Sequence, residues 1–233
     1  MTSSLAWQSD SYGTLILHLA ADEQGGYAYI QARRPYCDRG HWEWGSLGIH
    51  ANHRQAPSYY FMRQAVAQAE VEAWLGRLAG QPYTGPRLAD LPNAGEGPFS
   101  QPNGKDQGWA WVLGALPRSL EVHAMDPESG AQVALVLTES RGETGPLWTL
   151  TQQGLPNIDD ADRFPRVYLD LTHARQEVED FLAWRLLKVA CELPYPLEEG
   201  IRRPLPAELA QRLETWGQVP SPEARPRRAR GPK

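Results

Sequence analysis

Glu70-Val71-Glu72-Ala73-Trp74-Leu75-Gly76-Arg77-Leu78 decides the fold, because a close variant returns as Glu177-Val178-Glu179-Asp180-Phe181-Leu182-Ala183-Trp184-Arg185. In the first stretch Val71, Trp74, Leu75 and Leu78 follow the i, i+3, i+4, i+7 spacing of a helix with one apolar stripe. In the second, Val178, Phe181, Leu182 and Val189 play that part. Reading upstream, Tyr60 answers Tyr168, Pro57 answers Pro165, Trp42 answers Trp148, His18 answers His123, and Ala6-Trp7 answers Ala110-Trp111. The offset is 108 at the tyrosines and 107 at the glutamates, so the first copy lacks one residue between strand and helix. An internal repeat fixes the unit of folding and separates shared scaffold from diverged positions.

Each copy reads as strands followed by one helix. Leu15-Ile16-Leu17-His18-Leu19 and Tyr27-Ala28-Tyr29-Ile30 form a predicted hairpin, and His41-Trp42-Glu43-Trp44 alternates as a third strand. Tyr59-Tyr60-Phe61 is a short fourth strand, and a helix follows over about 64–79, stopped by Gly80 and Pro82. In the second copy, Leu120 to Met125 and Val133 to Leu137 flank the turn Asp126-Pro127-Glu128-Ser129-Gly130. Leu147-Trp148-Thr149-Leu150 and Val167-Tyr168-Leu169 follow, and then a helix to about 190 with Thr172 as the expected N-cap. The fold class is therefore α+β: two tandem repeats, each a three- to four-stranded antiparallel sheet covered by one C-terminal helix. The repeats occupy 5–79 and 109–190, and each is small enough that the two should lean on each other. Residues 80–108 hold eleven Pro or Gly in 29 positions and read as a linker. Residues 191–233 read as a tail with a short amphipathic helix at 206–216 and a disordered basic end.

Net charge is −5, unevenly spread. Arg225, Arg227, Arg228, Arg230 and Lys233 oppose only Glu223 at the C-terminal end, so the rest of the chain is distinctly acidic. That distribution is unlike the basic face of a dedicated duplex binder. Two cysteines give no disulfide framework, no apolar run approaches membrane-spanning length, and no secretory leader is recognisable. A cytoplasmic setting is expected, with no cofactor and no membrane partner.

Several clusters could carry chemistry. Cys37, His41, His50 and His53 have ligand-competent side chains, but no paired CxxC or HExxH accompanies them, and a tight turn at Gly40 explains the same residues. Cys37 with His41 as base lacks a third group to hold the base. His18 and His123 are expected to make structural hydrogen bonds, each in its own copy. The pairs Glu70/Glu72 and Glu177/Glu179 suggest acid–base carboxylates. Residues two apart do not share a helix face, however, so a solvated outer surface is expected.

The copies differ most where Asn52-His53-Arg54 in the first stands against Asp159-Asp160-Ala161-Asp162-Arg163 in the second. Asp159, Asp160, Asp162 and Arg163 are candidate contacts for a protein partner, together with the tryptophans Trp42 and Trp44. The three aspartates could also hold a divalent cation, although the EF-hand pattern with its closing Glu is absent, or cap turns in a solvated loop. The alternative is a nucleic-acid surface in which Tyr27, Tyr29, Trp42 and Trp44 stack on bases. Arg33, Arg34, Arg39 and the tail arginines Arg225, Arg227, Arg228 and Arg230 would then meet phosphates.

At Arg34-Pro35-Tyr36-Cys37-Asp38-Arg39-Gly40-His41-Trp42 and at Asp159 to Asp170, the chain resembles small uncharacterised accessory proteins of proteobacterial phages and integrative elements. In these a "YCDRG" strand entry precedes an acidic loop, an "FPRYY" strand and a helix ending in Trp-Leu. The first copy keeps the Cys motif and Trp74-Leu75 but lacks the acidic loop. The second keeps the loop and loses the Cys motif. The resemblance covers about two thirds of the chain. It assigns no activity. It implies an accessory-gene context, in which proteins often bind and disable or redirect a host protein. The duplicated scaffold, the lack of an assembled catalytic constellation and the asymmetric loop charge then lead to the expectation of a non-catalytic protein that docks on a host or defence-system protein as inhibitor or adaptor.

Overall fold

The computed structural model describes residues 5–19, 26–33, 41–49, 55–91, 109, 111–127, 129–155, 164–188 and 198–216, with backbone alone at 32, 33 and 41. Strands β1 (Ala6–Ser9), β2 (Leu15–Leu19), β3 (Gly26–Arg33), β4 (His41–Leu47) and β5 (Tyr60–Phe61) run as an antiparallel meander and lead into helix α1 (Gln64–Leu78). Strands β6 (Trp111–Leu113), β7 (Ser119–Met125), β8 (Gln132–Arg141), β9 (Pro146–Gln153) and β10 (Arg166–Tyr168) repeat that order and lead into helix α2 (Leu171–Leu187). A strand from the tail, β11 (Arg202–Pro204), then pairs with β1, and helix α3 (Ala207–Trp216) packs on α1. The fold is α+β, with two antiparallel sheets and three helices.

The sheets are larger than the three or four strands expected from sequence. Ala6–Ser9 and Trp111–Leu113 are strands in their own right, and β11 makes the first sheet six-stranded against five in the second. Neither short segment shows enough alternation to read as a strand alone. Each is held by its longer neighbour, with Gln8 opposite Ile16 and Trp111 opposite Val122. The expected turn at 126–130 forms, with the Gly130 amide donating to the Asp126 carbonyl at 2.8 Å and Gly130 at φ +69°.

Alternation along the strands sends one face of each sheet to a helix. Leu15, Leu17, Ala28, Ile30, Trp42, Trp44 and Phe61 meet α1 through Val71, Trp74 and Leu75 in one continuous core. Leu120, Val122, Leu135, Leu137, Trp148 and Leu150 meet Val178, Phe181 and Leu182 of α2. Each sheet with its helix forms one lobe. The N-cap of α2 is Asp170 rather than Thr172: its carboxylate accepts from the amides of Thr172 and His173. The helix ends at Leu187, with Lys188 in the left-handed region.

The lobes are joined by exchanged contacts. At the edges of the two sheets, the Ser58 amide donates to the Val167 carbonyl at 2.8 Å, and the Val167 amide donates to the Ser58 hydroxyl at 2.7 Å. In the first part of the expected linker, residues 81–85 line a cavity with Leu169, Asp170 and His173, and a 3₁₀ turn follows at Leu88–Asp90. The expected tail helix at 206–216 is present as α3, which buries Leu209, Ala210 and Leu213. The tail strand β11 was not expected. Among the described residues, no helix is long and apolar enough to cross a membrane.

Candidate functional site

The register of the first sheet builds a second, outward face. Opposite-strand pairing sets His18 beside Tyr27 and Tyr27 beside Leu47; Ile16 beside Tyr29 and Tyr29 beside Gly45; Gln31 beside Glu43 and Glu43 beside Tyr60. These residues lie on the face away from α1, since their neighbours in sequence are the ones that fill the core. Corresponding positions in the second sheet read His123, Ala134, Gln153; Glu121, Val136, Thr151; and Thr138, Thr149, Val167. The register corrects the expected match of Tyr60 with Tyr168: Phe61 is the counterpart of Tyr168, at the same offset of 107 as the glutamates, so the first copy lacks no residue between strand and helix. The scaffold is shared, but the aromatic chemistry belongs to the first sheet.

On that face the rings form a continuous path. The His18 and Tyr27 ring centroids are 6.0 Å apart, and those of Tyr27 and Tyr29 are 6.3 Å apart. Gly45 makes the path possible: a Cβ there would overlap the Tyr29 ring, which lies across β4. Beyond Glu43 the short strand β5 leaves β4 and a groove of about 300 Å³ opens. It is lined by Tyr29, Glu43, Trp44, Gly45, Ser46, Tyr59 and Tyr60. Trp44 holds its far wall, with its indole N–H donating to the Ser58 carbonyl at 2.8 Å and its ring stacked on Tyr59, 6.0 Å between centroids at 20°. Tyr59 is 61% exposed. Gln31 donates its amide to Glu43 Oε1. Burial raises the Tyr29 phenol, with further upward pressure from the charge of Glu43 and from Tyr27.

A second cluster sits where the lobes meet. The reading of Glu70 and Glu177 as solvated is overturned: both are completely buried. Residues two apart do point in different directions. The structure turns the first of each pair toward the other lobe and leaves the second at the lobe's own margin. Glu70 accepts from the Leu169 amide at 2.6 Å and the Asp170 amide at 3.1 Å, and its Oε1 is 2.8 Å from His173 Nδ1. Glu177 reciprocates from the other lobe, accepting from the Met62 amide at 2.6 Å, with Arg166 Nη1 at 3.8 Å. Glu72 and Glu179 receive the indole N–H of Trp7 and Trp111, each at 2.8 Å. Arg63 pairs with Asp180 through two bonds, one at 2.7 Å, and Arg77 Nη2 donates to the carbonyls of Pro146 and Leu169.

Burial raises the Glu177 carboxyl to about 8; Arg166 and the Met62 amide oppose the rise. At His173, burial disfavours the imidazolium, but the hydrogen bond and charge of Glu70 outweigh it and raise its pKa. A cavity of about 140 Å³ adjoins this pair, lined in part by Arg77, Tyr83, Asp170 and His173. The Tyr83 hydroxyl donates to the Pro86 carbonyl at 2.7 Å, and burial pushes its pKa up to about 12. The Tyr83 phenol is engaged with a carbonyl and hard to ionise, and Glu70 and Glu177 each accept a backbone amide from the other lobe, although Glu177 Oε2 has no hydrogen-bond partner among the described residues. The chemistry of this cluster is that of a lock between lobes.

The residues singled out from sequence are distributed as follows. Trp42 and Trp44 are 1% and 3% exposed and belong to the core. This corrects their reading as partner contacts and as stacking platforms. Alternation joins them to each other, but the hairpin register puts them on the opposite face from Tyr27 and Tyr29. Asp159, Asp160, Asp162 and Arg163, the side chains of Arg33 and His41, and Arg34, Cys37, Arg39, His50, His53 and the tail arginines lie outside the described residues. Among the described residues, no group of three or more His, Cys, Asp or Glu is placed to hold a metal ion. His18 is exposed and packs on Tyr27, whereas His123 Nε2 is 3.1 Å from Glu121. Sequence reasoning missed Glu43, Gly45 and Tyr60. The signal was the glycine two residues after Glu43 in a strand otherwise lined with large side chains. No family model, curated protein or solved structure matches this chain.

Proposed function

We propose that this protein is a non-catalytic binding protein, that its recognition surface is the outer face of the first sheet, and that its partner is a protein. The groove bounded by Tyr29, Glu43, Tyr59 and Tyr60 carries the reading, because tyrosines exposed around a concave site are typical anchors of protein recognition. The equivalent positions of the second sheet hold Val136, Thr149, Arg166 and Val167, which supports a diverged use rather than a fold requirement. We also infer that the two lobes descend from a tandem duplication. Supporting this are the repeated strand order, the Trp7–Glu72 and Trp111–Glu179 bonds, and the exchanged Glu70 and Glu177 contacts. The partner class follows from the resemblance to phage and integrative-element accessory proteins: a host or defence-system protein, engaged as inhibitor or adaptor.

Gly45→Thr installs the residue of the equivalent second-sheet position and displaces the Tyr29 ring. A partner co-purified with the wild-type chain should be lost from this variant while its unfolding midpoint stays close to wild type. Retention of the partner by the variant overturns the reading. The exposed ring of His18 and the half-buried rings of Tyr27 and Tyr29 favour a second reading, base stacking on single-stranded nucleic acid. Tight binding of an oligonucleotide with no protein partner would establish it in place of the first.

A further inference from the structure

We infer that the groove beside β5 takes an arginine side chain of the partner protein. This rests on the first sheet's outer face being the recognition surface and gives it a chemical specificity.

The argument begins with charge. Glu43 is the single ionisable carboxylate among the groove's lining residues, and no lining residue is basic. Its Oε1 takes the Gln31 amide, and among the described residues no hydrogen bond engages Oε2, which can accept from an incoming donor. An anionic ligand would meet Glu43 directly, so a phosphate or carboxylate is disfavoured. The rest of the wall is phenol ring: Tyr29, Tyr59 and Tyr60, with Trp44 stacked behind Tyr59. Aromatic faces attract cations, and a carboxylate among them supplies directed acceptors.

Size narrows the choice further. A space of about 300 Å³ is at the lower end of roughly 300–1,000 Å³ for small-molecule pockets, and this one is open along one side. It accommodates a single side chain entering from a chain outside. Guanidinium meets all three conditions: it is planar and stacks on rings, it is weakly hydrated, and its fork donates twice to one carboxylate. An ammonium is more strongly hydrated and donates as a point charge, so lysine should bind more weakly. Gly45 contributes by leaving room for the hydroxyl end of the Tyr29 ring over β4, so that the wall there is phenol rather than bare backbone.

Titrating N-acetyl-arginine amide into the full chain, followed through backbone amide resonances, tests this directly. The amides of Gly45, Ser46 and Tyr60 should shift saturably. N-acetyl-citrulline amide, the neutral isostere, should bind at least about tenfold more weakly, as one lost charge-assisted hydrogen bond requires. Glu43→Gln keeps the contact with Gln31 and should cost about tenfold in arginine affinity. Equal binding of citrulline, an unchanged affinity in Glu43→Gln, or no shift at all overturns the inference. So does an oligothymidylate that shifts the same amides more tightly than the arginine probe. A protein partner lost in Gly45→Thr but retained in Glu43→Gln would uphold the recognition surface and reject arginine as its key. A partner retained in both would reject the surface as well.

Discussion

Replacing Glu177 by Gln should change how the stability of this protein depends on pH, and the structure gives both the sign and the size. The Glu177 side chain is wholly buried beside the amide of Met62 and the guanidinium of Arg166. Its carboxyl titrates near 8 in the folded chain against 4.5 in the unfolded one. Below about pH 4.5 both states are protonated there and the group contributes no pH dependence. Between the two values the unfolded chain ionises while the folded chain must keep its proton, so folded stability falls as pH rises. Above about pH 8 both are ionised and the loss is complete. At about 1.4 kcal/mol for each unit of separation, the loss reaches about 5 kcal/mol. That is a large share of the roughly 5–15 kcal/mol typical of a domain. Glutamine keeps an oxygen for the Met62 amide and carries no titrating proton. Urea unfolding followed by tryptophan fluorescence, run on both proteins from about pH 5 to pH 8, isolates the group by subtraction. Other titrating groups, including Glu70 and His173, largely cancel in the difference. Glu177→Gln should gain on the wild type steadily as pH rises. A difference that stays flat across that window, or shrinks, would refute the burial argument.

Three further outcomes follow from the packing. Trp7→Phe and Trp111→Phe each remove the donor to Glu72 or Glu179 and should each cost about 1–2 kcal/mol in urea unfolding. The double variant should show the sum, since the two bonds lie in different lobes and share no partner. Leu213→Ala in α3, where the side chain is 2% exposed, should cost about 2–4 kcal/mol by the same measurement. A loss below about 1 kcal/mol would mean that α3 is not part of the core. A double-mutant cycle on Arg63 and Asp180 should give a coupling of only about 1 kcal/mol, because the Arg63 side chain is 44% exposed to screening solvent.

The buried glutamates explain why two small lobes can form one core. Each lobe has a strand-to-helix junction whose backbone amide has no partner in its own sheet. Each receives its acceptor from the other lobe's helix: Leu169 from Glu70, and Met62 from Glu177. A buried amide left without an acceptor costs on the order of 1–3 kcal/mol, so separating the lobes exposes or orphans groups on both sides. The lock consumes these groups, and the outer face of the first sheet, with its row of His18, Tyr27 and Tyr29, lies outside it.

The helices, their apolar stripes and the hairpins were legible in the sequence, because periods of 3.6 and 2 are local properties that a stretch such as Val71, Trp74, Leu75 and Leu78 carries by itself. A likeness between the two halves was legible too, because paired residue types at offsets of 104 to 108 need no coordinates, and the structure shows the same strand order in both. The face assignments were not. His41-Trp42-Glu43-Trp44 shows two faces but does not say which tyrosines share them, and only the pairing of Tyr29 with Gly45 decided that the tryptophans go in and the tyrosines out. Glu70 and Glu177 defeated local reasoning altogether. A carboxylate on a helix looks solvated until another part of the chain, some hundred residues away, brings it an amide to bind. Short-range pattern fixed the elements of this protein. Strand register and contact between the lobes fixed what each polar side chain is for, because a charged group's role depends on which donors reach it through space.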